Sequence, residues 1–203
     1  MTFGRFGTRM VYAGLGAVML VAGVPSRARA QADHDHAMMT QAAAVTPEQK
    51  AQQNELVDAV RRATAKYQHV EQAEGDGFEL TFGCVSGGDF GAMGIHFVNM
   101  KRVIDGEIYV DKPEIILYEP LPNGGFHLTG ADYLVDQATW DANHPNDPPQ
   151  LFGQLFHLFD APNRFALKPF YTLHVWAWKD NPNGTFTNWN PNVSCDAFNP
   201  PTR

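Results

Sequence analysis

Ile115-Ile116-Leu117-Tyr118-Glu119-Pro120-Leu121-Pro122-Asn123-Gly124-Gly125-Phe126-His127-Leu128 reads as two apolar arms around a turn. Proline presets its own φ and donates no hydrogen bond, while Asn-Gly supplies the residues that accept positive φ. The stretch therefore predicts a hairpin, and a hairpin predicts antiparallel pairing. Working outward, further short runs rich in aromatic and β-branched residues are separated by Gly, Pro and Asn. The candidate strands are 78–83, 94–99, 107–110, 114–119, 125–128, 131–136, 152–158 and 169–178. On 169–178, alternation places Phe170, Thr172, His174, Trp176 and Trp178 on one face and Tyr171, Leu173, Val175 and Ala177 on the other.

Ahead of these runs, Thr46-Pro47-Glu48-Gln49 has the form of a helix start: a Thr cap, proline at the first helical position and Gln three residues after the cap. Leu56, Val60, Ala63, Tyr67 and Val70 follow at steps of four and three, on one helical face, up to a break at Gly75-Asp76-Gly77. Residues 141–149 and 179–203 are polar and rich in Pro and Asn, and read as long loops. The expected class is α+β: an N-terminal helix packed on a curved, mainly antiparallel sheet or partial barrel, with long C-terminal loops.

The first thirty residues divide into a positive start (Arg5, Arg9), an uncharged, largely apolar run from Met10 to Val24, and Ala28-Arg29-Ala30, small residues at signal-peptidase spacing. The apolar run, about fifteen residues, is short of the roughly twenty that span a bilayer. A cleavable signal peptide over 1–30 is the reading, with Ala30-Gln31-Ala32 as a second cleavage site and no twin-arginine pair ahead of the apolar run. The expected destination is periplasmic or secreted, without stable membrane insertion after cleavage. Removing 1–30 deletes four arginines and no acidic residue, moving the formal charge from −7 to −11. Such a charge disfavours nucleic acid and anionic membrane surfaces as partners and favours solubility or cations; the expected partner is a metal ion or a small-molecule ligand. Residues 31–45, rich in Ala, Gln, Asp and His, read as a flexible leader, and 46–203 as a single globular domain.

Cys84 and Cys195 are the two cysteines, and in an oxidising compartment an isolated pair is most simply a disulfide. It would close a loop of about 110 residues, roughly 4 to 5 kcal/mol on a chain-entropy account.

Ala63-Thr64-Ala65-Lys66-Tyr67, Cys84-Val85-Ser86-Gly87 and Gly91 through Asn99 resemble the corresponding stretches of a family of uncharacterised exported bacterial proteins. The likeness returns at Leu117-Tyr118-Glu119-Pro120, at Leu151-Phe152-Gly153-Gln154 with His157, and from His174-Val175-Trp176-Ala177-Trp178 to Trp189-Asn190-Pro191. It spans most of residues 55–195, implies export, and brings no activity with it.

Among residues with chemistry, the histidines lead. His34 and His36 in Asp33-His34-Asp35-His36, with Met38 and Met39, offer a loose copper or zinc set or an ordinary solvated tail. His174 shares its face with aromatic residues, His96 lies in another apolar strand, and His157 follows Leu155-Phe156, while Glu119 ends one hairpin arm. If the strands curl into a pocket, His96, Glu119, His157 and His174 would hold a divalent metal, copper or zinc, with an open position. No His-x-His or His-Glu-x-x-His spacing ties the four together. Two other readings stand beside this one. One is a metal-free envelope module that binds a ligand or plays a structural part through its aromatic residues and loops. The other is a small secreted hydrolase or lyase, pairing Glu119 with a histidine or with Glu114 or Asp132. Ser86 lacks the Gly-x-Ser-x-Gly setting, and neither a phosphate-binding glycine loop nor Cys-x-x-Cys is present.

Overall fold

The computed structural model describes residues 45–199. The expected signal peptide over 1–30, nearly all of the expected leader with His34 and His36, and residues 200–203 lie outside the described residues. The chain enters the fold at helix α1 (Pro47–Thr64), where Thr46 Oγ1 accepts from the Gln49 amide and the Gln49 side chain accepts from the Thr46 amide. This reciprocal cap satisfies two amides that a helix start otherwise leaves bare. A single 3₁₀ turn (Ala65–Gln68) and short helix α2 (Val70–Gly75) continue the same path, so the expected helix is broken at His69 rather than continuous.

Six strands form one antiparallel, curled sheet: β1 (Glu79–Ser86), β2 (Ala92–Val98), β3 (Ile115–Pro120), β4 (Phe126–Asp136), β8 (Phe170–Val175) and β7 (His157–Phe159), in that spatial order. Two-residue strands β5 (Gln150–Leu151) and β6 (Gln154–Leu155) pair separately. The architecture is thus α+β, a helix on a half-barrel sheet. The hairpin forms as expected, with Leu121 N–H donating to the Gly125 carbonyl across the turn.

Several boundaries differ from the expectation for identifiable reasons. Residues 125–128 and 131–136 are one long strand, because Thr129-Gly130 continues the ladder through a register shift instead of turning. Gly130 is required there: a Cβ would lie 2.1 Å from the Val175 carbonyl oxygen. Residues 107–110 form no strand, although Ile108 and Val110 still pack against the core, which accounts for their apolar pattern. The 152–158 run is not continuous: the positive-φ pair Phe152-Gly153 turns the chain between β5 and β6, and Phe156 separates β6 from β7. Two short helices, α3 (Met100–Val103) and α4 (Gln137–Asn143), begin at Asn99 and Asp136, whose side chains accept from the following amides. The second occupies the start of the expected 141–149 loop.

The sheet has two apolar faces. Leu56 and Val60 of α1 pack on Ala131, Tyr133, Leu173 and Val175, all nearly inaccessible. Beside them, Tyr67 and Ala73 cover Ile95, Phe97, Ile116, Tyr118 and Leu128. Each such buried aliphatic or aromatic side chain contributes about 1.5–3 kcal/mol relative to exposure. The opposite face carries Val98, Ile115, Leu117, Leu134 and Phe170, roofed by Phe82 and by Phe159, Phe165 and Leu167 of the segment that leads into β8. A sheet covered on both faces makes any charged side chain between the layers costly. Cys84 of β1 and Cys195 are joined by a disulfide with Cα atoms 5.7 Å apart, which fastens the C-terminal loop to the sheet edge. Among the described residues no helix is long and apolar enough to cross a membrane.

Candidate metal centre

Alternation along three strands delivers the polar residues to the roofed face. On β2, Ile95 and Phe97 point to the helices, leaving His96 and Val98 on the other side. On β4, Ala131 and Tyr133 face the helices, which turns Asp132 and Leu134 away. On β8, Leu173 and Val175 face the helices, and Phe170, Thr172 and His174 face the roof. Asp132 and His174 sit directly opposite each other in the β4–β8 register. The result is a cluster of His96, Asp132 and His174 whose ligand atoms all lie within 4.8 Å of one another. Their exposures are 3%, 3% and 2%, so the group is enclosed.

Each member is held differently. His96 Nδ1 lies 3.0 Å from the Gly94 carbonyl. A carbonyl only accepts, so Nδ1 carries the hydrogen and Nε2 keeps its lone pair, the usual arrangement behind a metal-bound imidazole. Gly94 can present that carbonyl because it adopts φ +88°, where a Cβ would also press to 2.5 Å from the Tyr118 oxygen. Asp132 Oδ1 accepts from the Thr172 hydroxyl at 2.5 Å. His174 Nδ1 stands 3.4 Å from Asp132 Oδ1, and neither His174 nitrogen has a hydrogen-bond partner among the described residues.

Burial dominates the proton affinities. It lowers His96 to about 4 and His174 to about 3, so both rings are neutral at neutral pH. The same desolvation raises Asp132 to about 7, against the opposing pull of the Thr172 hydroxyl. The 3.4 Å contact between His174 and Asp132 is for this reason not an ion pair: the ring carries no charge to match the carboxylate. Among the described residues no lysine or arginine pairs with Asp132.

The cluster borders a small cavity of ≈ 20 Å³, room for about one water or one ion. Phe82, Met93, Phe159, Phe165, Leu167 and Phe170 supply much of its remaining wall. Two neutral imidazoles, a carboxylate without a cation and an apolar surround make a donor set suited to a first-row divalent metal. In a tetrahedral site with metal–ligand distances near 2.0–2.1 Å, neighbouring ligand atoms are about 3.4 Å apart, the spacing already present between His174 and Asp132.

The four residues singled out in the sequence are thus divided. His96 and His174 meet. Glu119, half-buried at the end of β3, is engaged elsewhere: its carboxylate pairs with Lys179, accepts from the Ser194 amide at 3.1 Å, and lies 3.9 Å from His127. His157 is exposed on edge strand β7 and lies 3.2 Å from the Asn188 side-chain oxygen. Glu114 is buried with its carboxylate accepting from the Leu134 amide at 3.0 Å. Asp132 appears in the sequence reading only as a partner for Glu119. Its signal was a lone acid within Leu128-Thr129-Gly130-Ala131-Asp132-Tyr133-Leu134-Val135, where an apolar surround makes a charge conspicuous. Trp178 departs from the alternation that would place it beside His174. The strand ends at Val175, the Ala177 amide turns back to the Val175 carbonyl, and the Trp178 indole donates to Thr64 Oγ1 on the helix side.

No family model matches the chain, and neither the curated proteins nor the solved structures contain a match.

Proposed function

We propose that the protein binds one divalent metal ion, zinc or copper, through His96 Nε2, the Asp132 carboxylate and a nitrogen of His174, and that it does so outside the cytoplasm. The supporting observation is the unpartnered state of His174. A buried polar group without a partner costs about 1–3 kcal/mol, and an enclosed carboxylate without a cation costs more. A dication satisfies all three groups at once. Three protein ligands leave a further coordination position, where such an ion acts as a Lewis acid or generates a bound hydroxide. The location rests on the tripartite pattern of residues 1–30, to which the Cys84–Cys195 disulfide adds support, since such bonds persist in oxidising compartments.

The test is metal analysis of tag-free protein beside His174→Ala and Asp132→Asn. About one equivalent in the parent and loss in both variants supports the reading. No bound metal in the parent after incubation with zinc or copper, or unchanged content in the variants, overturns it.

The metal-free alternative, in which Asp132, Thr172 and His174 are only a polar pin between strands, draws on the short Thr172–Asp132 hydrogen bond. It leaves both nitrogens of His174 without a role.

A further inference from the structure

The candidate metal centre is enclosed, so an ion must have a way in. The roof and walls offer little to a hydrated cation, since apolar side chains make up most of them. One exposed polar side chain lies on the same face, beside the cavity lining along the ladder. His157 lies directly opposite Thr172 in the β7–β8 register, and its strand neighbour Phe159, opposite Phe170, helps wall the cavity. Directly paired residues in an antiparallel ladder share a face with Cβ atoms about 4.5–5.5 Å apart, and diagonal ones lie about 7–8 Å apart, within reach of long side chains. Thr172 is the residue that donates to Asp132, and His174 is the diagonal neighbour.

Through these registers His157 stands next to the strand pair that carries Asp132 and His174. The ring is nevertheless exposed to solvent. With the Asn188 oxygen accepting at 3.2 Å, Nδ1 carries the hydrogen, and Nε2 is left as a ligand nitrogen. His157 therefore combines what the buried histidines lack, contact with water, with the same ligand atom that His96 presents.

We propose that His157 is the relay residue of the site: it takes a hydrated divalent cation at the exposed edge strand and hands it to His174 and Asp132. The proposal rests on the metal reading given above. A relay lowers the barrier in both directions, so its signature is kinetic rather than thermodynamic. In the full chain with its disulfide intact, cobalt(II) serves as the spectroscopic probe, followed by stopped-flow absorbance during uptake and during chelator-driven release. His157→Gln and His157→Ala are expected to slow both processes about tenfold while leaving the equilibrium Kd within about twofold. His174→Ala should lose binding altogether.

Unchanged rates in both His157 variants overturn the relay while leaving the metal centre standing. So does a weakened Kd with faster release, the signature of a permanent fourth ligand. Absence of cobalt, zinc and copper binding by the parent chain removes the metal reading and the relay together. Because His157 is an exposed residue on an edge strand, neither substitution threatens folding, and matching thermal unfolding of the metal-free proteins verifies this.

Discussion

His174→Phe separates a binding site from a structural pin by the sign of its effect on stability. In the metal-free protein the imidazole is 2% exposed with both nitrogens unbonded, so one donor and one acceptor are buried without compensation. Phenylalanine keeps a planar ring between His96 and Trp176, whose ring centres lie 6.0 and 6.1 Å from that of His174. The extra ring atom has the adjoining cavity of ≈ 20 Å³ to enter. Asp132 retains the Thr172 hydroxyl. Removing the orphaned groups should stabilise the metal-free fold by about 2 kcal/mol, from a range of about 1–3 per unsatisfied group reduced by some overpacking. For a domain of this size that corresponds to a Tm increase of roughly 4–8 °C. Calorimetry of chelator-dialysed protein at pH 7.5, with the disulfide intact, gives the first reading. Repetition with zinc at about a hundred times Kd should stabilise the parent by about 2.7 kcal/mol and leave the variant unmoved. A metal-free variant less stable than the parent by about 1 kcal/mol or more would refute the reasoning, since the ring would then be making interactions that phenylalanine lacks.

Other consequences follow from the same structure. Burial raises the Glu114 carboxyl to about 8, so between pH 4.5 and 8 the folded chain holds a proton that the unfolded chain has released. This group's contribution to stability is thus complete below pH 4.5 and lost as pH rises through 8. Glu114→Gln, which keeps an acceptor for the Leu134 amide, should match the parent near pH 4.5 and exceed it at pH 9, as urea midpoints across pH would record. Gly94→Ala places a Cβ 2.5 Å from the Tyr118 oxygen at φ +88°; it should cost at least about 1–3 kcal/mol in urea unfolding and weaken zinc binding by displacing the carbonyl that orients His96. Replacing Cys84 and Cys195 together by alanine opens a loop of 111 residues and should lower unfolding free energy by about 4–5 kcal/mol in denaturant titration.

Local chemistry made much of the fold legible in the sequence. The Thr46 cap, the 115–128 hairpin and the alternation of 170–175 are each written within a few neighbouring residues, and each forms. Trp178 leaves its expected face because alternation holds only while the ladder lasts, and the ladder stops at Val175. The candidate site was only half legible for a different reason. His96 and His174 stand out as histidines in apolar strands, but their meeting depends on which strands become neighbours. That order, β2-β3-β4-β8, places β4 beside β8 across an intervening stretch of 33 residues, a pairing no local pattern encodes. Glu119 was favoured over Asp132 because it ends an apolar arm. Lys179 and the Ser194 amide, both remote in sequence, neutralise it, whereas Asp132 faces His174 with no cation beside it.

Anomalous diffraction from crystals grown with zinc, recorded on both sides of the zinc absorption edge, tests the central claim most directly. The account predicts one peak within bonding distance of His96 Nε2, an Asp132 oxygen and His174. A peak only at exposed groups such as His127 or His69, or no peak at all at saturating zinc, would contradict it.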